Sequence, residues 1–243
     1  MIDVAERFGA AAECGAGRLV DLAALGELSA VLAHELRNPL SSIKGAAQIL
    51  QQEWGAQKPQ SEFLNIILDE VETLTALATE FMEFSRPLYP ELAWCSWNDT
   101  VEAAVLSVQS IAQAADMHVE LELAEDLPRA LLDGFQISRA LRNLLLNAMD
   151  ASTRGATVVV RTQRTPEGVA AEIEDAGCGM PQEQMARIFV PFFTTKLAGT
   201  GLGLPVARKI AQNHGGDVFA VRNDGPGMTF VIHLPAPSDL PDG

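Results

Sequence analysis

Basic residues are scarce. The 243 residues include 17 Lys and Arg against 32 Asp and Glu, a formal net charge of −15. So acidic a chain lacks the broad basic face that neutralises a phosphate backbone, which argues against a general nucleic-acid binder but leaves room for one local basic pocket. Cysteine is nearly absent too. Cys14, Cys95 and Cys178 are odd in number, scattered and not at metal-ligand spacing, so they read as thiols in a reducing cytoplasm. No apolar run approaches the roughly 18 residues of a membrane span, and the N-terminus lacks a basic-then-apolar leader pattern. What is present is 48% hydrophobic and 20% charged residues, enough for a packed core and against global disorder. At ~100–200 residues per domain, the length admits one large domain or two modest ones.

The chain changes texture near residue 87. Before it, Leu22, Leu25, Leu28, Leu32, Leu36, Leu40, Ile43, Ala47 and Leu50 step by three and four, one apolar stripe on a long helix. Gly55, Lys58 and Pro59 punctuate, and Ser61 is a candidate N-cap for a second helix. There Phe63, Ile67, Val71, Leu74, Leu77, Phe81 and Phe84 repeat the spacing until Pro87 and Pro90 stop it. An antiparallel hairpin with apolar residues off its main stripe, such as Val31 and Ile66, has more to bury than two helices cover. A dimeric four-helix bundle solves this, as does packing on the rest of the same chain.

From Trp97 onward strands mix with helices. Asn98 or Asp99 is a candidate cap for a helix to about Ala115, with Glu102 three after Asp99 as in a capping box. Strand patterns follow at 118–123 and 130–132, and a helix at about 135–152. A hairpin is predicted from 156–164 and 169–175 around Pro166-Glu167-Gly168, and a last one from 217–222 and 228–234 across Asp224-Gly225-Pro226-Gly227. Short helices are predicted from Pro181 and over 202–214. This order is that of an α+β domain, with helices layered on one mixed sheet. The predicted division is an N-terminal segment 1–20, a helical hairpin 21–87, a linker 88–97, an α+β domain 98–236 and a polar, Pro-rich tail 237–243.

Two glycine runs lie in the second domain. Asp175-Ala176-Gly177-Cys178-Gly179 ends a predicted strand, and Gly199-Thr200-Gly201-Leu202-Gly203-Leu204 opens a predicted helix. Glycines let backbone N–H groups approach an anion, and a helix N-terminus adds its dipole, so phosphate suits the second run. The spacing is neither a dinucleotide fingerprint nor a P-loop. Asn143 and Asn147 lie one turn apart on a helix that otherwise reads Leu141, Leu144, Leu145. Amides there must hydrogen-bond or ligate, and an amide oxygen suits Mg²⁺. Among four histidines, His118, His214 and His233 read as structural or solvated. His34, in Ala33-His34-Glu35-Leu36-Arg37-Asn38-Pro39-Leu40, falls about 160° around the helix from Leu36 and so is exposed beside a carboxylate. Pro39 removes the partner of the Glu35 carbonyl and should bend the helix there.

The order Asn143-x-x-x-Asn147-Ala148, Asp175-x-Gly177-x-Gly179, Phe189-x-Pro191-Phe192-Phe193-Thr194-Thr195-Lys196 and Gly199 to Leu204 resembles the ATP-binding domain of sensor histidine kinases. That domain is a GHKL-type (Bergerat) α/β sandwich of the gyrase, Hsp90 and MutL kind. The His34-Glu35-x-x-Asn38-Pro39 core resembles the dimerisation and phosphoacceptor domain of the same kinases. The resemblance implies a homodimer in which His34 takes the γ-phosphate of ATP, Glu35 pairs with its ring, and the phosphoryl group passes to an aspartate of a response regulator. It implies that Asn38 serves hydrolysis of that aspartyl phosphate. Asn147 would hold Mg²⁺ with Asn143 assisting, and Asp175 would accept from the adenine amino group. Gly177 and Gly179 would pass the base and ribose, Gly199, Thr200, Gly201, Leu202, Gly203 and Leu204 would line the phosphates, and Lys196 would counter the γ-phosphate. Asp150 and Ala176 depart from the family pattern, which keeps a non-catalytic ATP-binding dimeric scaffold as an alternative. Only Leu197 and Ala198 separate Lys196 from Gly199; with Phe-Phe-Thr-Thr-Lys this resembles the nitrogen-regulation branch, whose regulators activate σ54 promoters. The first ~20 residues hold no complete sensory domain, so the signal is expected from a portion outside these residues or from a separate protein.

Overall fold

The computed structural model describes residues 40–41, 43–45, 47–48, 64–65, 67–69, 71–72, 74–75, 78–79, 89–191, 193–196 and 200–236. The chain divides into two compact units, one Arg18–Pro87 and the other containing Leu88–Gly243. Among the described residues, no helix is long and apolar enough to cross a membrane.

In the first unit the described residues are helical. Ala47, Leu64, Val71 and Ala78 are buried. Three of these repeat every seven residues, so they form one row along the helix. Ile43, Ile67 and Leu74, expected on the inward stripe, are 48%, 42% and 40% exposed in the single chain. A seam between two helices is narrow, and the neighbouring row stays outside it. Lys44 and Glu72 pair at 2.6 Å across the unit.

The second unit begins earlier than its patterning suggests. Strand β1 (Ala93–Cys95) pairs antiparallel with β3 (Ala130–Leu132), so the segment read as a linker, 88–97, contributes a strand to the fold. Helix α1 (Trp97–Ala114) follows at once. Its cap is Ser96, whose hydroxyl accepts from Asp99 N at 3.2 Å, rather than Asn98 or Asp99. Asn98 is drawn away by tertiary partners. Its amide donates to Ala124 O at 2.8 Å and accepts from Thr162 Oγ1 at 2.9 Å. Trp97 is 1% exposed, and its indole N–H donates to Ala170 O at 3.1 Å, stapling the helix start to the sheet.

Five strands form the main sheet in the order β2 (His118–Glu122), β4 (Thr157–Thr165), β5 (Gly168–Glu174), β7 (Met228–Pro235), β6 (Asp217–Arg222). β2 and β4 are parallel and the remaining pairs antiparallel, which makes the sheet mixed. Thr165 opposite Gly168 closes the β4–β5 hairpin across Pro166-Glu167. Helix α2 (Gly134–Ala151) packs on β4, β5 and β7 and is flanked by α1 and α4 (Gly203–Asn213); α3 (Gln182–Met185) is a single turn. Ile137, Leu141, Leu144 and Leu145 of α2 and Ile173, Phe230 and Ile232 of the sheet are all fully buried in the core. This leaves the polar positions of α2, the end of β5 and the start of α4 to build a site.

Candidate functional site

Asp175 follows directly on β5 and is 2% exposed. Its Oδ1 accepts from Gly177 N at 2.9 Å and Met228 N at 3.1 Å. Its Oδ2 is buried without a partner. Burial pushes this carboxyl above its ordinary value of 3.8, against the lowering effect of the two backbone N–H groups and of the Lys196 ammonium. A buried acceptor with one open oxygen is the complement of an amino group on a ligand.

Close packing holds that carboxylate in place. A Cβ on Gly177 would strike the carbonyl of Ala151 at the end of α2, so the loop can run against the helix only as glycine. Gly227, at φ +94°, lies so near the Asp175 carbonyl that a Cβ would overlap it. Asn223 donates to Asp175 O at 3.3 Å and accepts from Thr229 Oγ1 at 2.7 Å. In the sequence, Asp224-Gly225-Pro226-Gly227 marks only the turn of a hairpin, and the fold alone shows that Asn223, Gly227 and Met228 hold Asp175.

Asn143 and Asn147 sit on the half-buried polar side of α2. The Asn143 amide donates to Gly203 O at 3.2 Å, joining α2 to the first residue of α4. Asn147 Oδ1 accepts from Lys196 Nζ at 3.1 Å, and the same ammonium meets Asp150 Oδ2 at 3.0 Å. No side chain caps α4, whose first turn carries no acidic residue and has Pro205 in it. Its entry runs through Thr200, whose hydroxyl accepts from Leu202 N at 3.2 Å, Gly201 at φ +70°, and Leu202, which is fully buried. A Cβ on Gly203 would meet nothing closer than Asn143 Cβ at 4.0 Å, so packing within the chain leaves space there. Leu204 is half-buried in the first turn, and Gly179 takes φ +68° opposite Gly227.

The structure thus brings together Asn143, Asn147, Lys196, Gly203 and Leu204 around α2 and α4, with Asp175, Gly177 and Gly179 at the end of β5. Gly199, His34, Glu35 and Asn38 lie outside the described residues. Arg187 lies 4.4 Å over the Phe193 ring, while Arg208 lies 4.9 Å over Phe189 and forks onto Asp217 at 2.7 and 2.8 Å. Of the remaining histidines, His214 bonds Ile210 O at 2.8 Å and accepts from Asp133 N at 3.1 Å, and buried His233 meets Thr165 Oγ1 at 3.1 Å. Both are tied into the fold. Among the described residues no three His, Cys, Asp or Glu gather to hold a metal. The donor set suits a nucleotide that arrives with its own hard cation: an open buried acceptor for an amine, space over Gly203 for phosphate, and one amide oxygen beside an ammonium.

Comparison with known proteins identifies two domains in the chain. Residues 132–238 match the family described as Histidine kinase-, DNA gyrase B-, and HSP90-like ATPase, and residues 24–89 match the His Kinase A (phospho-acceptor) domain. The chain is 38% identical over 215 residues to the signal transduction histidine-protein kinase AtoS of Escherichia coli (strain K12), covering 88% of this chain and 35% of that protein. It is 33% identical over 214 residues to the sensor histidine kinase ZraS of the same strain, covering 88% and 46%. It therefore spans between a third and a half of the length of these relatives. The crystal structure of histidine kinase ThkA in complex with response regulator protein TrrA superposes with a TM-score of 0.67 at 26% identity, over 97% of this chain and 68% of that one. With the phosphoacceptor and ATPase domains present in that order, the chain belongs to the sensor histidine kinases of two-component signalling.

Proposed function

We propose that this chain transfers the γ-phosphoryl group of ATP to its own His34 and then to an aspartate of a response regulator. The observation that carries the reading is Asp175, a buried carboxylate with one oxygen saturated by two backbone N–H groups and the other open. An adenine amino group is the donor that oxygen lacks. Gly177 and Gly179 let the chain pass beside base and ribose, and the uncapped start of α4 at Gly203 and Leu204, with Gly199, Thr200, Gly201 and Leu202 before it, receives phosphates.

ATP supplies the phosphoryl group; Asn147, with Asn143 assisting, would hold Mg²⁺, which would supply positive charge beside the phosphates. One ring nitrogen of His34 bonds the phosphorus as the bond to the leaving ADP oxygen breaks. Glu35 pairs with the other ring N–H and stabilises the positive charge that develops on the imidazole. Lys196 is the counter-charge for the γ-phosphate in an otherwise acidic protein. Asn38 orients water for hydrolysis of the regulator's aspartyl phosphate. The half-exposed row Ile43, Ile67 and Leu74 supports a homodimeric four-helix bundle, because a second copy would cover it. ATP as donor locates the reaction in the cytoplasm, and the Phe-Phe-Thr-Thr-Lys segment supports a regulator of the σ54-activating kind.

The test is a phosphotransfer profile: the labelled chain is mixed with each response regulator of its source, and rapid loss of label to one of them is expected. Asn38→Ala should keep that transfer and slow the regulator's dephosphorylation. A second reading, an ATP-binding scaffold without turnover, is favoured by one contact: the Lys196 ammonium already sits 3.1 Å from Asn147 Oδ1. Normal ATP affinity with no phosphohistidine would establish the scaffold instead.

A further inference from the structure

Asp150 is the position hardest to reconcile with a triphosphate site. It lies one helical turn after Asn147 on the same side of α2, and a carboxylate there repels phosphate. Its partner changes the reading. Lys196, 46 residues later and joined to the glycine run that opens α4, sends its ammonium to Asp150 Oδ2 at 3.0 Å and Asn147 Oδ1 at 3.1 Å. The two acceptors, three residues apart on the helix, bracket a single cation. One face of α2 therefore anchors the connecting segment at both ends: through Lys196 at Asn147 and Asp150, and through the Gly203 carbonyl at Asn143. The lysine is near enough to act on the Asp175 carboxyl at the other end of the site.

We propose that Asp150 is a positioning residue, holding the Lys196 ammonium beside Asn147 so that the positive charge needed at the terminal phosphate is delivered from the connecting segment rather than from the helix. This rests on the nucleotide-site reading above. Asp150 acts through Lys196 and touches no phosphate. When the γ-phosphate arrives, Lys196 exchanges Asn147 for a phosphate oxygen while Asp150 keeps the ammonium within reach. Removing the carboxylate lowers the negative charge near the triphosphate, so electrostatic repulsion alone would make binding tighter. Positioning has the opposite sign.

The test is calorimetric binding of the non-hydrolysable analogue AMPPNP and of ADP, each with Mg²⁺, to the full chain. Asp150→Asn should weaken AMPPNP about two- to fivefold, the range for a solvent-exposed ion pair, and should not weaken ADP, which lacks the phosphate that Lys196 meets. Asp150→Glu should restore AMPPNP binding. In a Lys196→Met background, Asp150→Asn should no longer weaken AMPPNP and should instead tighten it, because only repulsion remains. Unchanged or tighter AMPPNP binding in the single variant, or equal losses for AMPPNP and ADP, would overturn the positioning role. Failure of the unmodified chain to bind either nucleotide would instead overturn the site reading beneath it.

Discussion

Replacing Asp175 by Asn removes one charge and one acceptor while keeping the shape of a side chain that is 2% exposed. The Asn carbonyl oxygen can keep the Oδ1 position, accepting from Gly177 N and Met228 N. The amide NH₂ then takes the Oδ2 position and faces a ligand amino group donor to donor. The flipped amide is worse, since it sets the NH₂ against two backbone N–H groups. A hydrogen bond to a charged group is worth about 1.5–3 kcal/mol, so ATP affinity should fall about 10- to 160-fold. ITP carries a carbonyl where ATP carries the amino group, so Asp175→Asn should also narrow the preference for ATP over ITP. Stability should move differently. Burial raises the folded-state pKa of Asp175 above 3.8, so this group's contribution is greatest below 3.8 and is lost as pH rises through the raised value. At neutral pH the folded chain bears the full cost of that charge, which Asn does not. Asp175→Asn should therefore unfold no lower than the unmodified chain at pH 7, and its advantage should shrink on acidification. Over the same pH range, nucleotide affinity of the unmodified chain should fall as Asp175 takes up its proton. Competitive displacement of a fluorescent nucleotide, with thermal melts at pH 4 and 7, reads both effects. Equal ATP affinity in a folded variant would refute Oδ2 as the adenine acceptor.

Other consequences are independent of that carboxyl. Asn147→Ala should raise the Mg²⁺ concentration for half-maximal autophosphorylation by about 10- to 100-fold, the scale on which lost metal-site partners act, with metal titration as the check. Gly227→Ala must distort a backbone at φ +94° and push against the Asp175 carbonyl, which should cost about 1–3 kcal/mol in urea unfolding. Trp97→Phe should cost about 1–3 kcal/mol by leaving Ala170 O without its buried indole donor, read by the same denaturation. Leu74→Glu, placing a charge on the half-exposed row, should shift the chain from dimer to monomer in light scattering without loss of ATP binding.

Much of this architecture is visible in residue patterns, and the misses share a cause. The β4–β5 hairpin follows from Pro166-Glu167-Gly168 between two alternating runs, because turn and strands lie within one window. β1 escapes the same reasoning: Ala93-Trp94-Cys95 has no β-branched residue, and its partner is β3, some 35 residues away. The cap of α1 is misplaced for a similar reason, since Asn98 is a good cap that tertiary contacts with Ala124 and Thr162 have claimed. At the site, motif order points to Asp175, Asn143 and Asn147, yet sequence could not show that Oδ2 of Asp175 lacks a partner or that Met228 fills Oδ1. Asp150 shows the limit most clearly. Its charge alone reads as a defect, and only the fold brings it to Lys196.

The most direct measurement incubates the chain with γ-labelled ATP and Mg²⁺ and follows label on the protein. Acid-labile, alkali-stable label that disappears in His34→Gln is the expected result. Label that survives His34→Gln, alkali-labile label from an acyl phosphate, or acid-stable label from a phosphoester would contradict histidine phosphorylation at His34.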